Sequence, residues 1–569
     1  MSDSPYTKLS REEMAQMEVG NTLISRPMSL VVTAAFILTI ISVPVVQHIV
    51  EVRAGFAEGG RWVLPSVYEI FKYPRQAWKA LVSSGDGDLV SRLSEANGVL
   101  MRGFKTYEEA LESDSFIAQA TLPRVQAFTA EFLGLGNEQV LLGRKRWLFY
   151  EPDVAYLTGP GFLDSSFLRN RARNGDPGGS VQPDPLKAIV EFRDQLKSRA
   201  IHLVIMPIPV KPMIEPELLS PSYGTSPSLP IQNPSYRAFL KSLDKLQIDY
   251  LDVSHSLAEN KRLTGLSQFL RTDTHWTPQA MQHAVALLAE KLRAAGLPRT
   301  IEPMRLNRAR QTIKGIGDIV AMLRLPPTSH LYPKEAVAIH PILRADGLPW
   351  SPDPRADVLV LGDSFFNIFS LEGMGWGASA GFVEQLSYAL QRPLDAIIRN
   401  DAGALATREL LGQELARGND RLSGKRVVVW EFAVRELATG NWDFVTLKTP
   451  ARGATDFLVL QAGEQRMFRA TVKSFGAFPR PGLTPYKDYL TAFHLTGIEG
   501  DSKREAIVYL LTMKDQQLTP AAQLRAGDTV SILLTSWTDA ESQYGGINRS
   551  ELEDEKLMLE EPNFGKLER

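Results

Sequence analysis

The stretch ADVLVLGDS (residues 356–364) decides the fold prediction, because a continuous apolar run passes directly into a polar turn. A short apolar run bounded by turn residues is typical of a strand buried on both faces of a sheet. Four other segments have the same character: IHLVIMPIP (201–209), IDYLDV (248–253), LDAIIRN (394–400) and RVVVWEF (426–432). We predict that these five strands form a parallel sheet.

Amphipathic segments separate the predicted strands. They are DPLKAIVEFRDQLKSR (184–199), PQAMQHAVALLAEKLRAAG (278–296) and ATRELLGQELARG (406–418). Gly296 and Gly418 end the last two and suit left-handed helix C-caps. Strands that alternate with helices predict an α/β fold whose parallel sheet is covered on both faces. Ligands of such sheets bind beyond the carboxyl ends of the strands.

Ser364 follows the apolar strand at this carboxyl edge, in the tripeptide Gly362-Asp363-Ser364. A hydroxyl group there would be held by a rigid element and would face the ligand crevice. The alternative interpretation is structural, with the serine in a turn that caps a helix. The tripeptide alone does not distinguish the two.

A second motif, TDTHWTP (residues 272–278), places Asp273 two residues before His275. Thr277 is predicted to be the N-cap and Pro278 the first residue of the next helix, so His275 falls in the preceding loop. A carboxylate near an imidazole can hold its ring N–H and leave the other nitrogen free as a base. A purely structural histidine is the alternative.

The two motifs together favour serine chemistry. A serine hydroxyl is a weak nucleophile that needs a base within hydrogen-bonding reach and donors for the oxyanion. Both motifs are predicted in loops at the same edge of the sheet. We therefore predict a catalytic triad of Ser364, His275 and Asp273.

Composition narrows the chemistry further. The chain has no cysteine, which excludes thiol nucleophiles, thiolate metal sites and disulfides. A net charge of −2 gives no general attraction for nucleic acid, and none is expected as a partner. Because no phosphate-binding glycine loop or metal-ligand cluster is apparent, we predict neither a cofactor nor a metal.

The combined motifs resemble those of the alginate O-acetyltransferase (AlgJ/AlgX-like) family, SGNH-hydrolase-like proteins of bacterial polysaccharide O-acetylation. Further phrases carry the resemblance: WLFYEPDVAYLTGPGFL (147–163), VIMPIPVKPMIEPEL (204–218) and VVVWEFAVREL (427–437). The resemblance covers roughly residues 135 to 440. It implies a three-layer, flavodoxin-like SGNH domain with permuted motif order, because the Asp-x-His motif precedes the serine. It also implies Ser364 as nucleophile, His275 as general base and Asp273 as the residue that orients it.

The oxyanion donors are less sharply defined by sequence. The backbone N–H of Ser364 is a natural first donor, and Gly403 or Asn400, after the next strand, could supply a second. The last predicted strand carries Glu431 where ordinary SGNH enzymes have asparagine, so that role is not transferred. Glu431 is expected to pair with Arg435 in a buried ion pair.

Residues 28–50 form an apolar stretch without Lys, Arg, Asp or Glu, which is long enough to cross a hydrocarbon core of about 30 Å. Arg26 and Arg53 flank it on opposite sides, so charge does not decide its orientation. The resemblance implies a single-pass protein of the cell inner membrane, with its catalytic domain in the periplasm.

The predicted divisions are a tail (1–27), the transmembrane anchor (28–50), a helical stalk or cap (51–135), the SGNH-like domain (136–445) and a small all-β domain (450–569).

The all-β domain is predicted from short strands separated by turns, as in a small antiparallel barrel or sandwich. Its residues Phe468, Trp537 and Tyr544 could stack on sugar rings or fill the core of the barrel.

Three functions remain open on sequence alone. The favoured one is O-acetyl transfer to an extracytoplasmic polysaccharide through an acetyl-serine, with a membrane-bound O-acyltransferase as the acetyl donor. The second is a carbohydrate acetyl esterase with the same triad, in which water is the second nucleophile. The third is a non-catalytic glycan-binding scaffold of an envelope polysaccharide complex.

Overall fold

The computed structural model describes residues 25–57, 66–83, 89–173, 181–223, 229–297, 303–400, 403–448, 457–481, 486–498, 501–552 and 554–568. Most of the predicted N-terminal tail, residues 1–24, lies outside the described residues. The chain divides into two compact units, Met1–Val125 and Gln126–Arg569, which are described separately.

The first unit is helical where it is described. Helix α1 (Arg26–Ala57) contains the apolar stretch, and its residues from Arg26 to Arg53 are long and apolar enough to cross a membrane. Large apolar side chains along this segment, including Leu30, Phe36 and Ile41, are exposed. The 3-10 turn Ser66–Phe71 and the helices α2 (Lys72–Ser83), α3 (Leu89–Asp114) and α4 (Phe116–Phe128) follow, with α4 running across the division between the units.

The second unit contains the predicted parallel sheet. Its strands are β1 (His202–Ile208), β2 (Asp249–Tyr250), β3 (Val358–Gly362), β4 (Asp395–Ile398) and β5 (Val427–Ala433). They are hydrogen-bonded in the order β4-β3-β5-β1-β2, and every pair is parallel. Every residue of β3 and β5 is buried, as expected when helices cover both faces of a sheet. The predicted α/β fold is confirmed.

Helices at the predicted positions cover this sheet. Helix α5 (Pro185–Ser198) packs on β1, and α6 (Pro278–Ala294) packs on the helix Phe382–Leu390. A short helix, α7 (Ser364–Asn367), follows β3, while α8 (Gly403–Ala416) packs against β3, β4 and β5. The glycines after α6 and α8 have positive φ angles of 84° and 94°, as predicted for left-handed caps.

Shorter elements complete the α/β part of the unit. The remaining helices are Glu151–Thr158, Ser165–Arg173, Lys211–Ile214, Pro216–Leu219, Tyr236–Lys245, Ser254–Thr264, Asp318–Met322 and Glu436–Thr439. Three antiparallel strand pairs are Val140–Leu142 with Leu148–Tyr150, Leu306–Arg308 with Ile342–Arg344, and Gln311–Gly315 with Glu335–Ile339.

The C-terminal part is a closed barrel. Its strands are β6 (Gln465–Phe475), β7 (Tyr489–Ile498), β8 (Asp501–Lys514), β9 (Thr529–Ser536) and β10 (Pro562–Leu567), which pair in the cyclic order β8-β10-β9-β6-β7 and back to β8. These pairs are antiparallel as predicted, except that β8 and β10 are parallel. The two-residue strands Gln517–Leu518 and Arg549–Ser550 extend it, and the helices Trp537–Tyr544 and Glu555–Met558 flank it.

The aromatic residues considered as sugar-stacking candidates pack within this part. Phe468 is buried among the residues that fill the barrel. The rings of Trp537 and Tyr509 have centroids 4.8 Å apart, and the ring of Tyr544 stacks on Phe564 at 4.2 Å. These contacts support the core interpretation.

Candidate active site

Ser364 lies where the sequence places it, at the carboxyl end of β3. It is the first residue of α7 and is almost completely buried. Asp363, the N-cap of this helix, accepts hydrogen bonds from the backbone N–H groups of Phe365 (2.8 Å) and Ala433 (3.2 Å). Its carboxylate thus ties the end of β3 to the end of β5. We call Asp363 and Ser364 the nucleophile turn.

His275 lies in a tight loop that precedes α6. Phe269 and Trp276 pair as an antiparallel bridge, and the backbone N–H of Leu270 donates to the carbonyl of His275. As predicted, Thr277 caps α6 and Pro278 is its first residue. We call residues 271–277 the base loop.

The base loop and the nucleophile turn meet. The Oγ atom of Ser364 lies 2.8 Å from Nε2 of His275, and Nδ1 of His275 lies 2.6 Å from Oδ1 of Asp273. All three side chains are buried. The ring of His275 also packs on Phe365, whose carbonyl accepts a hydrogen bond from the indole of Trp276 at 3.0 Å. The three predicted site residues are therefore in direct hydrogen-bonding contact.

Four hydrogen bonds fix the carboxylate of Asp273. Its Oδ1 atom accepts from Nδ1 and from the backbone N–H of His275. Its Oδ2 atom accepts from the indole N–H of Trp376 at 2.8 Å and from the backbone N–H of Asp318 at 3.1 Å. Each oxygen of the carboxylate accepts two hydrogen bonds, and together these oppose rotation of the carboxylate away from the imidazole.

Two further side chains clamp the start of the base loop. The carboxylate of Glu335 accepts hydrogen bonds from the backbone N–H groups of Arg271 and Thr272 and from the Thr272 hydroxyl. The buried ammonium of Lys211 donates to the carbonyls of Leu148 (2.7 Å) and Arg271 (3.3 Å). Glu335 thus binds backbone N–H groups of the loop, and Lys211 binds one of its backbone carbonyl groups.

The pKa values of the site reflect burial opposed by charge. Burial lowers the pKa of His275, but the hydrogen bond and charge of Asp273, with the charges of Asp318 and Asp363, outweigh it and raise the pKa overall. Burial raises the pKa of Asp273, but contacts with His275 and Trp376 prevail and lower it. Burial lowers the pKa of Lys211 to about 8. Burial and the charge of Asp273 raise the pKa of Asp318 to about 6.

One cluster has the composition of a metal site. Potential ligand atoms of Asp273, His275 and Asp318 lie within 4.8 Å of one another. Nδ1 of His275 is hydrogen-bonded to Asp273, and Asp318 accepts two hydrogen bonds from Thr274. These protein contacts account for the cluster without an ion.

Glu431 lies below the nucleophile turn and is fully buried. Its Oε2 atom accepts a hydrogen bond from the backbone N–H of Asp363 at 2.8 Å. Burial, followed by the charge of Asp363, raises the pKa of Glu431 well above its usual value. The predicted ion pair with Arg435 is wrong, because Arg435 lies 3.1 Å from Asp153, whose buried carboxylate lies in a distant part of the sequence.

The candidate oxyanion residues occupy different positions. Asn400 is buried, and its Oδ1 atom accepts from the amide of Asn367, on the helix that begins at Ser364. Its own amide group contacts the sulfur of Met374 at 3.5 Å. Gly403 begins α8, and the preceding residues 401–402 lie outside the described part of the chain. Asn400 is therefore connected to the nucleophile helix, whereas no described contact connects Gly403 to it.

Sequence reasoning did not identify Asp318, Trp376, Glu335 or Lys211 as parts of the site. The available signals were short: Lys211 lies within VIMPIPVKPMIEPEL, Asp318 follows Gly317 within GIGDIV, and Trp376 lies within the glycine-rich stretch EGMGWGASAG. None of these motifs identifies its partner, because the contacts join segments far apart in the chain.

Comparisons with known proteins identify the family to which the α/β part is similar. Residues 140–434, just over half of the chain, match the family described as SGNH hydrolase-like domain, acetyltransferase AlgX. A protein named probable alginate O-acetylase AlgJ from Pseudomonas syringae pv. tomato is 27% identical over 318 residues, covering 54% of this chain and 71% of the relative. The protein of the same name from Pseudomonas aeruginosa is 26% identical over 307 residues, covering 53% and 71%.

Two solved structures are also similar. The O-acetyltransferase domain of Pseudomonas putida AlgJ has a TM-score of 0.39 at 21% identity and covers 53% of this chain and 93% of that one. Pseudomonas aeruginosa AlgX has a TM-score of 0.38 at 16% identity and covers 69% and 90%. With the family match over the α/β part, the chain belongs to the SGNH hydrolase-like acetyltransferases of the AlgX family and is an acyltransferase.

Proposed function

We propose that the chain transfers acetyl groups to hydroxyl groups of an extracytoplasmic polysaccharide through an acetyl ester on Ser364. The observation that carries this proposal is the 2.8 Å contact between Oγ of Ser364 and Nε2 of His275, with Asp273 on the other ring nitrogen. A hydroxyl, a base and an orienting carboxylate in this order are the parts that serine acyl transfer needs.

In the first half of the proposed reaction, the Oγ atom of Ser364 attacks the carbonyl carbon of an acetyl donor. Its proton passes to Nε2 of His275, and Asp273 stabilises the imidazolium. When the tetrahedral intermediate collapses, the bond to the donor's leaving group breaks, and that group takes the proton from Nε2. The products are acetyl-Ser364 and the protonated leaving group.

In the second half, a hydroxyl group of the polysaccharide attacks the acetyl carbon. His275 removes the proton of that hydroxyl and returns it to Oγ of Ser364 as the serine ester bond breaks. Ser364 is regenerated, and the polymer carries the acetyl ester. With water in place of the sugar hydroxyl, the same steps would make the chain an esterase.

The proposed oxyanion donor is the backbone N–H of Ser364. The N–H groups in the first turn of a helix have no acceptor within the helix and point toward negative charge. Asn400 is the better supported second donor, because it accepts a hydrogen bond from Asn367, which lies on the helix that begins at Ser364. Gly403 remains a second candidate at the start of α8.

The polysaccharide we propose is alginate or a polymer of similar chemistry, because the relatives are named as probable alginate O-acetylases. We also propose that α1 anchors the chain in the inner membrane as a single span, with the remainder in the periplasm. A membrane-bound O-acyltransferase would then supply the acetyl group. The exposed apolar surface of α1 supports the anchor.

We propose the domain organisation on the same basis. Residues 1–27 would form a tail, residues 28–50 the anchor and residues 51–135 a helical stalk or cap. Residues 136–445 would carry the chemistry, and residues 450–569 the barrel.

The decisive experiment uses the full chain in lipid nanodiscs, with p-nitrophenyl acetate as donor probe and an alginate oligosaccharide as acceptor probe. We expect mass spectrometry to find an acetyl group on the peptide that contains Ser364, and its decay to accelerate when the oligosaccharide is added. Ser364→Ala should lower acetyl transfer by roughly 10⁴-fold or more and abolish the acetyl-enzyme.

The other functions predict different results. Acetate release that does not respond to the oligosaccharide would identify an esterase. Retention of polysaccharide acetylation in cells that carry Ser364→Ala would identify a scaffold.

A further inference from the structure

A second carboxylate lies beside the base. The Oδ2 atom of Asp318 is 3.8 Å from Nδ1 of His275, the nitrogen that is hydrogen-bonded to Asp273 at 2.6 Å. The side chain of Asp318 is largely buried, with 14% of its surface exposed. An orienting carboxylate is already present in Asp273, so the second acid needs an explanation of its own.

Thr274 connects Asp318 to the imidazole. Its hydroxyl donates to Oδ2 of Asp318 at 2.6 Å, and the same oxygen lies 3.0 Å from Nδ1 of His275. A hydroxyl group has one proton to donate. Because the Thr274 hydroxyl donates this proton in its hydrogen bond to Asp318, its oxygen can interact with Nδ1 of His275 only as an acceptor. This arrangement requires the proton of a neutral His275 to be on Nδ1 and leaves Nε2 free to accept from Ser364.

The backbone around Asp318 lies close to the base loop and hydrogen-bonds with it. Its N–H donates to Oδ2 of Asp273, and its Oδ1 accepts from the backbone N–H of Thr274 at 2.8 Å. A Cβ atom on the preceding Gly317 would lie 2.1 Å from the carbonyl oxygen of Thr272. Only glycine permits this approach, so the position of Asp318 depends on the segment as a whole.

We infer that Asp318 is a positioning residue, which fixes the proton of His275 on Nδ1 through Thr274 and adds a second negative charge beside the ring. The inference rests on the proposed role of His275 as base. It assigns Asp318 no contact with substrate.

The charge of Asp318 also affects when His275 becomes protonated. The charged and titratable groups around Asp318 are Asp273 and His275 on the base loop, Lys211 behind it, and Tyr150. Despite the opposing effect of burial, Asp273 and then Asp318 and Asp363 contribute to the raised pKa of His275. Removal of the Asp318 charge must therefore lower the pKa of His275, which keeps the free base available at lower pH.

The test compares Asp318→Asn with Glu335→Gln in the full chain. Both changes replace a carboxylate that accepts hydrogen bonds from the base loop with its neutral isostere, but Glu335 binds Arg271 and Thr272 instead of Thr274. We expect Asp318→Asn to move the acid limb of the kcat profile for acetyl transfer down by about one pH unit. Glu335→Gln should lower kcat without moving that limb.

A third variant separates the charge from the hydroxyl link. Thr274→Val keeps the carboxylate but removes the proton that Asp318 accepts. It should lower kcat by about tenfold, the loss expected for a single hydrogen bond to a charged group, with KM and the acid limb unchanged. An acid limb of Asp318→Asn that coincides with that of the wild type would overturn the inference.

A second measurement keeps the inference independent of turnover. Nitrogen-15 chemical shifts of the His275 imidazole, assigned with His275→Gln, report its pKa and the nitrogen that carries the proton. We expect Asp318→Asn to lower this pKa and to increase the fraction protonated on Nε2. If neither value changes, Asp318 has no positioning role, whatever the activity assay shows. If both change but the wild type forms no acetyl-enzyme, the proposed function fails and the inference stands.

Discussion

The nucleophile turn and the base loop are held by different means. Ser364 is placed by the strand in front of it, since every residue of β3 is buried and Asp363 ties the strand end to β5. His275 lies on a loop that is held by side chains from distant segments, among them Trp376, Glu335 and Lys211. One of the two proposed catalytic residues is therefore positioned by regular structure and the other by a polar network.

This difference indicates which part of the site is more sensitive to substitution. Loss of one contact at the nucleophile turn leaves a buried strand and its ladder of hydrogen bonds in place. Loss of one contact at the base loop leaves a carboxylate or carbonyl oxygen without its hydrogen-bond donor. Because the loop is buried, few other donors are available to replace it. We expect substitutions around His275 to reduce catalysis more than equally conservative substitutions around Ser364.

The largest effect in this comparison is expected from Asp273→Asn. The amide cannot stabilise the imidazolium and favours the wrong tautomer, so kcat should fall by roughly 10⁴-fold. The matched control is Asp249→Asn, because Asp249 forms a similar 2.8 Å pair with His202 on the protein surface. The control should retain the wild-type kcat in the nanodisc assay. An equal loss of kcat in both variants would show that the Asp273–His275 pair has no specific role in catalysis.

Trp376→Phe should have an intermediate effect. It removes the indole N–H that donates to Asp273 but keeps an aromatic ring in the buried site. A hydrogen bond to a charged group contributes about 1.5–3 kcal/mol, so kcat should fall roughly 10- to 100-fold. Trp442→Phe is the control, since Trp442 is equally buried but donates to the carbonyl of Glu436. A similar loss of kcat in the control would assign the effect to packing alone.

The smallest effect on catalysis is expected from Glu431→Gln, on the nucleophile side. The neutral amide can still accept from the N–H of Asp363, so kcat should change by less than about threefold. A loss of about tenfold or more would contradict the comparison, because it would show that the nucleophile turn also depends on a single polar group.

Stability supplies a second measurement for Glu431→Gln. Because the folded pKa of Glu431 is raised, the folded state binds more protons than the unfolded state above the unfolded pKa. The stability from this group is complete below the unfolded pKa and is lost as pH rises toward the folded value. Glutamine has no such loss, so the variant should gain free energy of unfolding relative to the wild type as pH increases. Denaturant unfolding at several pH values measures this trend.

The comparison also explains how much of the site could be predicted from sequence. Ser364 follows an apolar strand, and Asp273 and His275 share a motif that ends in a helix cap. Both signals are local, and the parallel sheet brings them to one edge. The five strands and their connecting helices were predictable for the same reason, because apolar periodicity records burial directly.

The parts that were not predicted depend on partners distant in the chain. Asp318 and Trp376 reach Asp273 from 45 and 103 positions away, and neither has a pattern that names its partner. The predicted Glu431–Arg435 pair was wrong for a related reason. Proximity in sequence suggested it, but Asp153, 282 positions from Arg435, provides the carboxylate. Closure of the barrel likewise depends on the parallel pairing of β8 with β10, which lie far apart in the chain and whose pairing is not specified by alternation within each strand.

The closed barrel has a consequence for molecules at high local concentration. Unpaired strand edges are templates for association with other chains. Within the described part of the chain, the barrel sheet ends only in the two-residue strands Gln517–Leu518 and Arg549–Ser550, which are too short to template a long ladder. Copies of the chain at high local concentration would therefore resist association through their barrel sheets into insoluble assemblies.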